Sequence, residues 1–226
     1  MSIEKGKPWG GPAGGPADMV VDGDDVALAE AVAHHPGARI TFVPAPTSDF
    51  ARAVGLLGAA SAPDPLSAST ELPCDALRVE FDDRELFAVN MVILGVAPDE
   101  QRWSSSSARV RVVIDTRVVH DGPALAVVVA SGQYLRGNDV VPRGHPGDGR
   151  AEVQVYALTR GERSAMRERL PLGVHLPHPR IRTASGRRIE VEAMGSARSL
   201  EVDGAVVGRA TFVAATVVAA AFTLLV

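Results

Sequence analysis

From residue 74 to the C-terminus the chain is a succession of short apolar runs cut by turn residues, and that pattern leaves few folds open. Ala151-Glu152-Val153-Gln154-Val155 alternates strictly between apolar and polar. In a strand, successive side chains point to opposite faces, so the alternation implies one buried and one wet face. Candidate strands fall at residues 76–81, 85–94, 109–114, 117–120, 124–131, 151–157, 189–193 and 200–202. Gly122, Gly137-Asn138 and Asp148-Gly149 punctuate them as turns. Within this half only residues 160–170 read as a helix, with Glu and Arg giving it a solvated face. Strands in such number imply an antiparallel β-sandwich.

The first third of the chain reads differently. Val20-Val21 ends a short strand, Asp22-Gly23-Asp24-Asp25 is an acidic turn, and residues 26–33 form a helix with Asp24 or Asp25 as its N-cap. His34-His35-Pro36-Gly37 stops that helix, because proline cannot continue it. A strand at 39–43 follows, then the turn Pro44-Ala45-Pro46, with Thr47 or Ser48 capping a helix over 49–57. Strand, turn and helix in that order, twice, predict a parallel α/β layer. The Gly/Pro-rich residues 1–17 are expected to form a mobile arm, and the Ala/Ser/Pro-rich residues 59–73 a linker. The expected fold class is therefore α/β plus all-β: a reduced α/β lobe with its linker over 18–73, and a β-sandwich over 74–226.

Composition narrows the functions. The net charge is −4 and the sequence pI about 5.9, so no basic footprint argues for nucleic acid. Cys74 is the single cysteine, which forbids an intrachain disulfide and fits a reducing cytoplasm. The polar start, Met1 to Trp9, lacks the apolar core of a secretory signal. The uncharged stretch 210–226 is near the short limit for a membrane-spanning helix. Its threonines and β-branched residues favour two strands instead, at 211–213 and 221–226. A cytoplasmic protein, at most peripheral at the membrane, is expected.

Several segments, in order, resemble one family. Asp22-Gly23-Asp24-Asp25-Val26 stands where bacterial diacylglycerol-kinase-like lipid kinases of the YegS type carry the phosphate loop Gly-Gly-Asp-Gly-Thr. Pro44-Ala45-Pro46-Thr47-Ser48-Asp49-Phe50-Ala51-Arg52 is similar to their Pro-Leu-Gly-Thr-Gly-Asn-Asp-Phe-Ala-Arg, one residue shorter. Leu86-Phe87-Ala88-Val89-Asn90 resembles the strand that opens their lipid-binding half. Val127 to Tyr134, Asp148-Gly149-Arg150-Ala151-Glu152-Val153, Gly173-Val174-His175 and Val202-Asp203-Gly204 follow.

The resemblance implies an ATP-dependent lipid kinase fold with Mg²⁺. It assigns Gly23, Asp24, Thr47 and Asp49 to the nucleotide, Asp203 to the base that deprotonates a lipid hydroxyl, and Asp148 to a structural Mg²⁺. Read without the family, Asp203 and Asp148 are also ordinary turn residues. Three departures point to a degenerate member. Asp25 replaces the second loop glycine, whose absence of a side chain lets backbone N–H groups approach phosphate. Ala205 stands where a Glu is usual, and only nineteen residues precede Val20, too few for the strands that support the loop. The expectation is a protein that binds a lipid or lipid-like molecule, a protein partner or a second copy through its β lobe. The alternative is an active lipid kinase using Asp203.

Overall fold

The computed structural model describes residues 9–57 and 69–226. Two short β/α units open it. Strand β1 (Gly11–Pro12) precedes β2 (Met19–Gly23), helix α1 (Asp25–His34), β3 (Arg39–Pro44) and helix α2 (Asp49–Ala53). β2 and β3 pair in parallel, Met19 against Ile40 through Gly23 against Pro44, as strand–turn–helix order requires. α2 stops at Ala53, four residues before the expected end.

The chain then becomes β4 (Thr70–Phe81), β5 (Arg84–Ala88), β6 (Met91–Gly95), β7 (Ala108–Ile114), β8 (Arg117–Ala124) and β9 (Ala126–Ala130). The small ribbon β10 (Tyr134–Leu135) and β11 (Asn138–Asp139) follows, then β12 (Ala151–Tyr156) and helix α3 (Arg163–Arg169). β13 (Ile181–Gly186), β14 (Arg188–Ala193), β15 (Arg198–Val202), β16 (Ala205–Ala210) and β17 (Phe212–Leu225) complete the chain.

Among the described residues nine strands make one sheet, in which β4, β17, β14, β7 and β8 are successive neighbours and β3 runs parallel to the end of β17. β13, β12, β9, β6, β15 and β16 make the second sheet. The alternation along the strands is what packs them. Val110, Val112 and Ile114 from the first sheet meet Val127, Val129, Val153 and Val155 from the second in one buried cluster. Leu28, Val32, Phe42, Phe50 and Phe222 form another beneath α1 and α2. A third lies on the far side of the second sheet, where Met166 and Leu170 cover Ile93, Val128 and Tyr156.

Four expectations are corrected. Residues 9–17 are docked, not an arm: Gly11 and Pro12 pair with Glu71 and Thr70, and the Trp9 indole donates to Pro73 O at 3.0 Å and stacks edge-on against His145. Residues 1–8 lie outside the described residues, as does 58–68 of the expected linker; strand β4 begins at Thr70 and runs through position 73. The expected strand at 85–94 is broken at Val89-Asn90, whose N–H groups turn toward Asp203 instead of a ladder partner. The two C-terminal strands are one. β17 bulges between Val218 and Phe222, with Ala220 at φ +49°, and a single strand thereby serves both ends of β4. β10 and β11 leave no sequence pattern because two residues carry no periodicity, and β13 and β16 because Arg, Ser or Gly interrupts their alternation. Among the described residues, no helix is long and apolar enough to cross a membrane.

Candidate functional site

The turn from β2 into α1 holds the first group of residues. Gly23 takes φ +145°, and a Cβ there would lie 2.8 Å from the Ala27 Cβ, so glycine is required on both counts. Asp24 is the N-cap of α1, its carboxylate accepting from Ala27 N–H at 3.1 Å. Asp25, the first helical residue, turns inward and is 4% exposed. One carboxylate oxygen accepts from Ser48 Oγ at 2.5 Å, and the other from Phe50 N–H at 3.0 Å and the Asn90 side-chain amide at 3.4 Å. Burial raises its pKa to about 6 against the pull of these donors.

The turn from β3 into α2 holds the second group. Thr47 is exposed at its tip. Ser48 caps α2, accepting from Ala51 N–H at 3.0 Å. Asp49 reaches across to the β10–β11 hairpin, where it accepts from the main-chain N–H groups of Arg136 and Gly137. These two residues stand at φ +48° and +78°, a conformation that points successive N–H groups at one anion. The Arg136 guanidinium is gripped by Asp99 through two bonds of 2.8 and 2.9 Å, and by Glu201 at 2.5 Å. The sequence marked Gly137-Asn138 as a turn, but nothing in it revealed Arg136 as the residue joining α2 to the sandwich.

Asp203 and Gly204, both at positive φ, form the two-residue turn between β15 and β16, as expected of a hairpin whose central residues are Asp-Gly. The Asp203 carboxylate accepts three main-chain N–H bonds, from Val89 at 2.7 Å, Asn90 at 3.0 Å and Met91 at 2.8 Å. Burial and the neighbouring Asp25 carboxylate raise its pKa above the ordinary carboxylate range, while the three donors oppose the rise. Asp203 also borders a cavity of about 380 Å³ between α1, β5 and the β15–β16 hairpin. Val26, Ala29, Phe87 and Val207 give that cavity apolar walls, and Arg84 and Glu85 stand at its edge. Ala205 lines it without a carboxylate.

Asp148 lies apart from this site. Its carboxylate accepts from Arg150 N–H at 2.9 Å in a local turn. The buried carboxylate of that region is Asp75, which belongs to no recognisable motif. It accepts from Gly149 N–H at 2.6 Å and from Ala220 N–H at 2.9 Å, fastening the 146–149 loop to the bulge in β17. Its only sequence signal is a lone charge inside a strand.

A triphosphate needs free N–H donors at the two loop-to-helix turns. Here Ala27 N–H is taken by Asp24, Phe50 N–H by Asp25, and Ala51 N–H by Ser48. Asp25 adds a buried carboxylate between the same two turns, so three of their N–H donors are held by the protein's own side chains. Among the described residues no group of three His, Cys, Asp or Glu side chains is placed to hold a metal ion.

The family model described as the YegS C-terminal NAD kinase beta sandwich-like domain matches residues 96–226. Three solved structures from Bacillus anthracis str. Sterne, named provisionally or outright as a diacylglycerol kinase, have TM-scores of 0.73, 0.71 and 0.68. Their identities are 15%, 16% and 16%, each over 92% of this chain and over 78%, 78% and 76% of the other. Yeast NADH kinase complexed with NADH matches with a TM-score of 0.53 and 13% identity, over 92% of this chain and 61% of its own. No curated protein matches the chain. At such identities the structural likeness is one of fold.

Proposed function

The chain belongs to the family of the YegS C-terminal NAD kinase beta sandwich-like domain, and from that premise we propose that it binds a lipid or lipid-like molecule without transferring phosphate. The observation that carries this reading is the Asp25 carboxylate on Ser48 Oγ and Phe50 N–H. An internal carboxylate occupies the donors that a nucleotide phosphate would use, and removing even one preorganised donor costs roughly 10²–10³ in rate. The cavity beside Asp203 supplies the ligand site. Its apolar walls suit an acyl chain, and small side chains such as Ala29 and Ala205 leave the space open.

Two measurements test it. Calorimetric titration with Mg-ATP is expected to give no binding heat, and native mass spectrometry a lipid adduct that is lost on Ala29→Trp. Tight Mg-ATP binding, or no adduct across a panel of diacylglycerols and sphingoid bases, overturns the reading.

One observation favours a second reading, an active lipid kinase. Asp203 borders the cavity with its pKa raised, the direction that suits a general base working near neutral pH. Transfer of labelled phosphate from ATP to a lipid, abolished in Asp203→Asn with the fold intact, would establish it.

A further inference from the structure

The outermost layer over the second sheet carries an unusual surface. Arg163, at the start of α3, is 5% exposed. Its guanidinium donates to three main-chain carbonyls, Arg102 O at 2.8 Å, Trp103 O at 3.0 Å and Ser105 O at 2.7 Å. That clamp fixes the loop between β6 and β7 against α3 and leaves the Trp103 side chain 66% exposed. α3 then sends Met166 and Leu170 down into the core, and the chain emerges with Leu172 72% and Val174 59% exposed. Three of the eight exposed large apolar side chains among the described residues thus belong to one layer.

The charges of this layer run against those of the whole protein. Arg102, Arg160, Arg167 and Arg169 are exposed, against two exposed carboxylates, Glu168 and Glu100, the second of which lies beside Arg136. Glu162 is already paired with Arg180. The chain as a whole carries −4. Exposed apolar side chains are ordinary singly, but a tryptophan fixed in solvent by a buried arginine is costly unless something covers it. An indole prefers a boundary between apolar and wet surroundings, and arginines beside it meet phosphate.

We infer that α3, the loop holding Trp103 and the segment holding Leu172 and Val174 form a docking face for an anionic bilayer, with Trp103 and Leu172 entering the headgroup region and the four arginines on lipid phosphates. A soluble polyanion would need only the cations; Trp103, Leu172 and Val174 select the lipid surface. The face is separate from the Asp203 cavity, so the two readings fail independently.

The test uses the full chain with sucrose-loaded vesicles of phosphatidylcholine alone or mixed with phosphatidylglycerol. Sedimentation with the anionic vesicles, weakened by salt, is expected. The chain has two tryptophans, and Trp9 is hydrogen-bonded and packed within the protein, so a blue shift of emission reports Trp103 and should vanish in Trp103→Phe. Arg167→Gln with Arg169→Gln should lower partitioning roughly 30-fold, since each cation near the surface contributes ~1 kcal/mol. Both variants change exposed residues, and circular dichroism verifies their folding. No sedimentation, sedimentation that these variants leave unchanged, or capture by dextran sulfate without an emission shift on vesicles overturns the inference.

Discussion

The carboxylates of Asp25 and Asp203 are joined through Asn90, whose side-chain amide donates to Asp25 at 3.4 Å while its main-chain N–H donates to Asp203 at 3.0 Å. Asp25 belongs to the first helix and Asp203 to the hairpin of the sandwich, so this contact ties the two halves together. It also sets two buried acids against each other, and their charge has to be accommodated by the fold.

The pH dependence of stability follows from that pair. Asp25 titrates at about 6 in the folded protein, with burial the main cause, against roughly 3.9 for an unfolded aspartate. The folded state therefore binds its proton more tightly. The contribution is fully present below the unfolded value and is lost as pH rises through about 6. Asp203 is raised in the same direction and extends the loss to higher pH. Thermal melts should show stability declining from pH 5 to pH 9, and Asp25→Asn should flatten the decline. A wild-type Tm that rises over this range would count against the buried pair.

Asp203 is also a structural anchor, whatever chemistry it performs. Asp203→Ala strips the acceptor from three N–H groups at the β5–β6 corner and puts alanine at φ +48°. Lost bonds to a charged acceptor and backbone strain together should cost about 2–4 kcal/mol in urea unfolding. Asp203→Asn keeps one oxygen and a residue that tolerates positive φ, and should cost less than half as much. Equal losses for the two variants would show that the N–H cradle is not the source.

How far the sequence disclosed this arrangement can be judged from single residues. The alternation in Ala151 to Val155 announced a strand with a buried face, but its expected wet face is buried too, with Gln154 bonded to Val140 O and Tyr156 packed against Met166 and Leu170. Asp24 and Ser48 cap the two helices as their positions suggested. Local pattern is enough for such features because their partners lie within a few residues. Arg136, Asp75 and the three-fold grip on Asp203 depend on partners 37 to 145 residues away, and no local pattern encodes those. The substitution of Asp25 for the loop glycine was legible as a departure from the motif. That its carboxylate would turn inward onto Ser48 and Phe50 was not, since it depends on where α2 starts in space.

The link between Asp49 and the Arg136-Gly137 turn should hold the short α2 helix in place. α2 has only five residues and cannot persist alone. Asp49→Ala should lower global stability by about 2–3 kcal/mol, the range for hydrogen bonds to a charged group. It should also raise amide exchange of Phe50 to Val54 more than that of β12. Uniform protection changes across both segments would mean that Asp49 does not act as a local clasp.

The last expectation concerns Asp25→Gly, which puts glycine at the place that residues 22–26, by their resemblance to a phosphate loop, would give it. The change frees Ser48 Oγ and Phe50 N–H at the start of α2, so weak binding of pyrophosphate should appear, seen as a rise in Tm with added ligand. A glycine in the first turn of α1 costs up to ~1 kcal/mol, which lowers the starting Tm without removing the effect. Phosphate transfer to lipid should not appear, even with Ala205→Glu added. Within the described residues β2 pairs only with β3, so one parallel neighbour fixes the turn on which phosphate transfer would depend. Positional error of about 1 Å in such a loop is enough to cost 10²-fold in rate. Labelled phosphate reaching diacylglycerol in the single variant would show that Asp25 alone silences the site, and in the double variant only, that Asp25 and Ala205 together do.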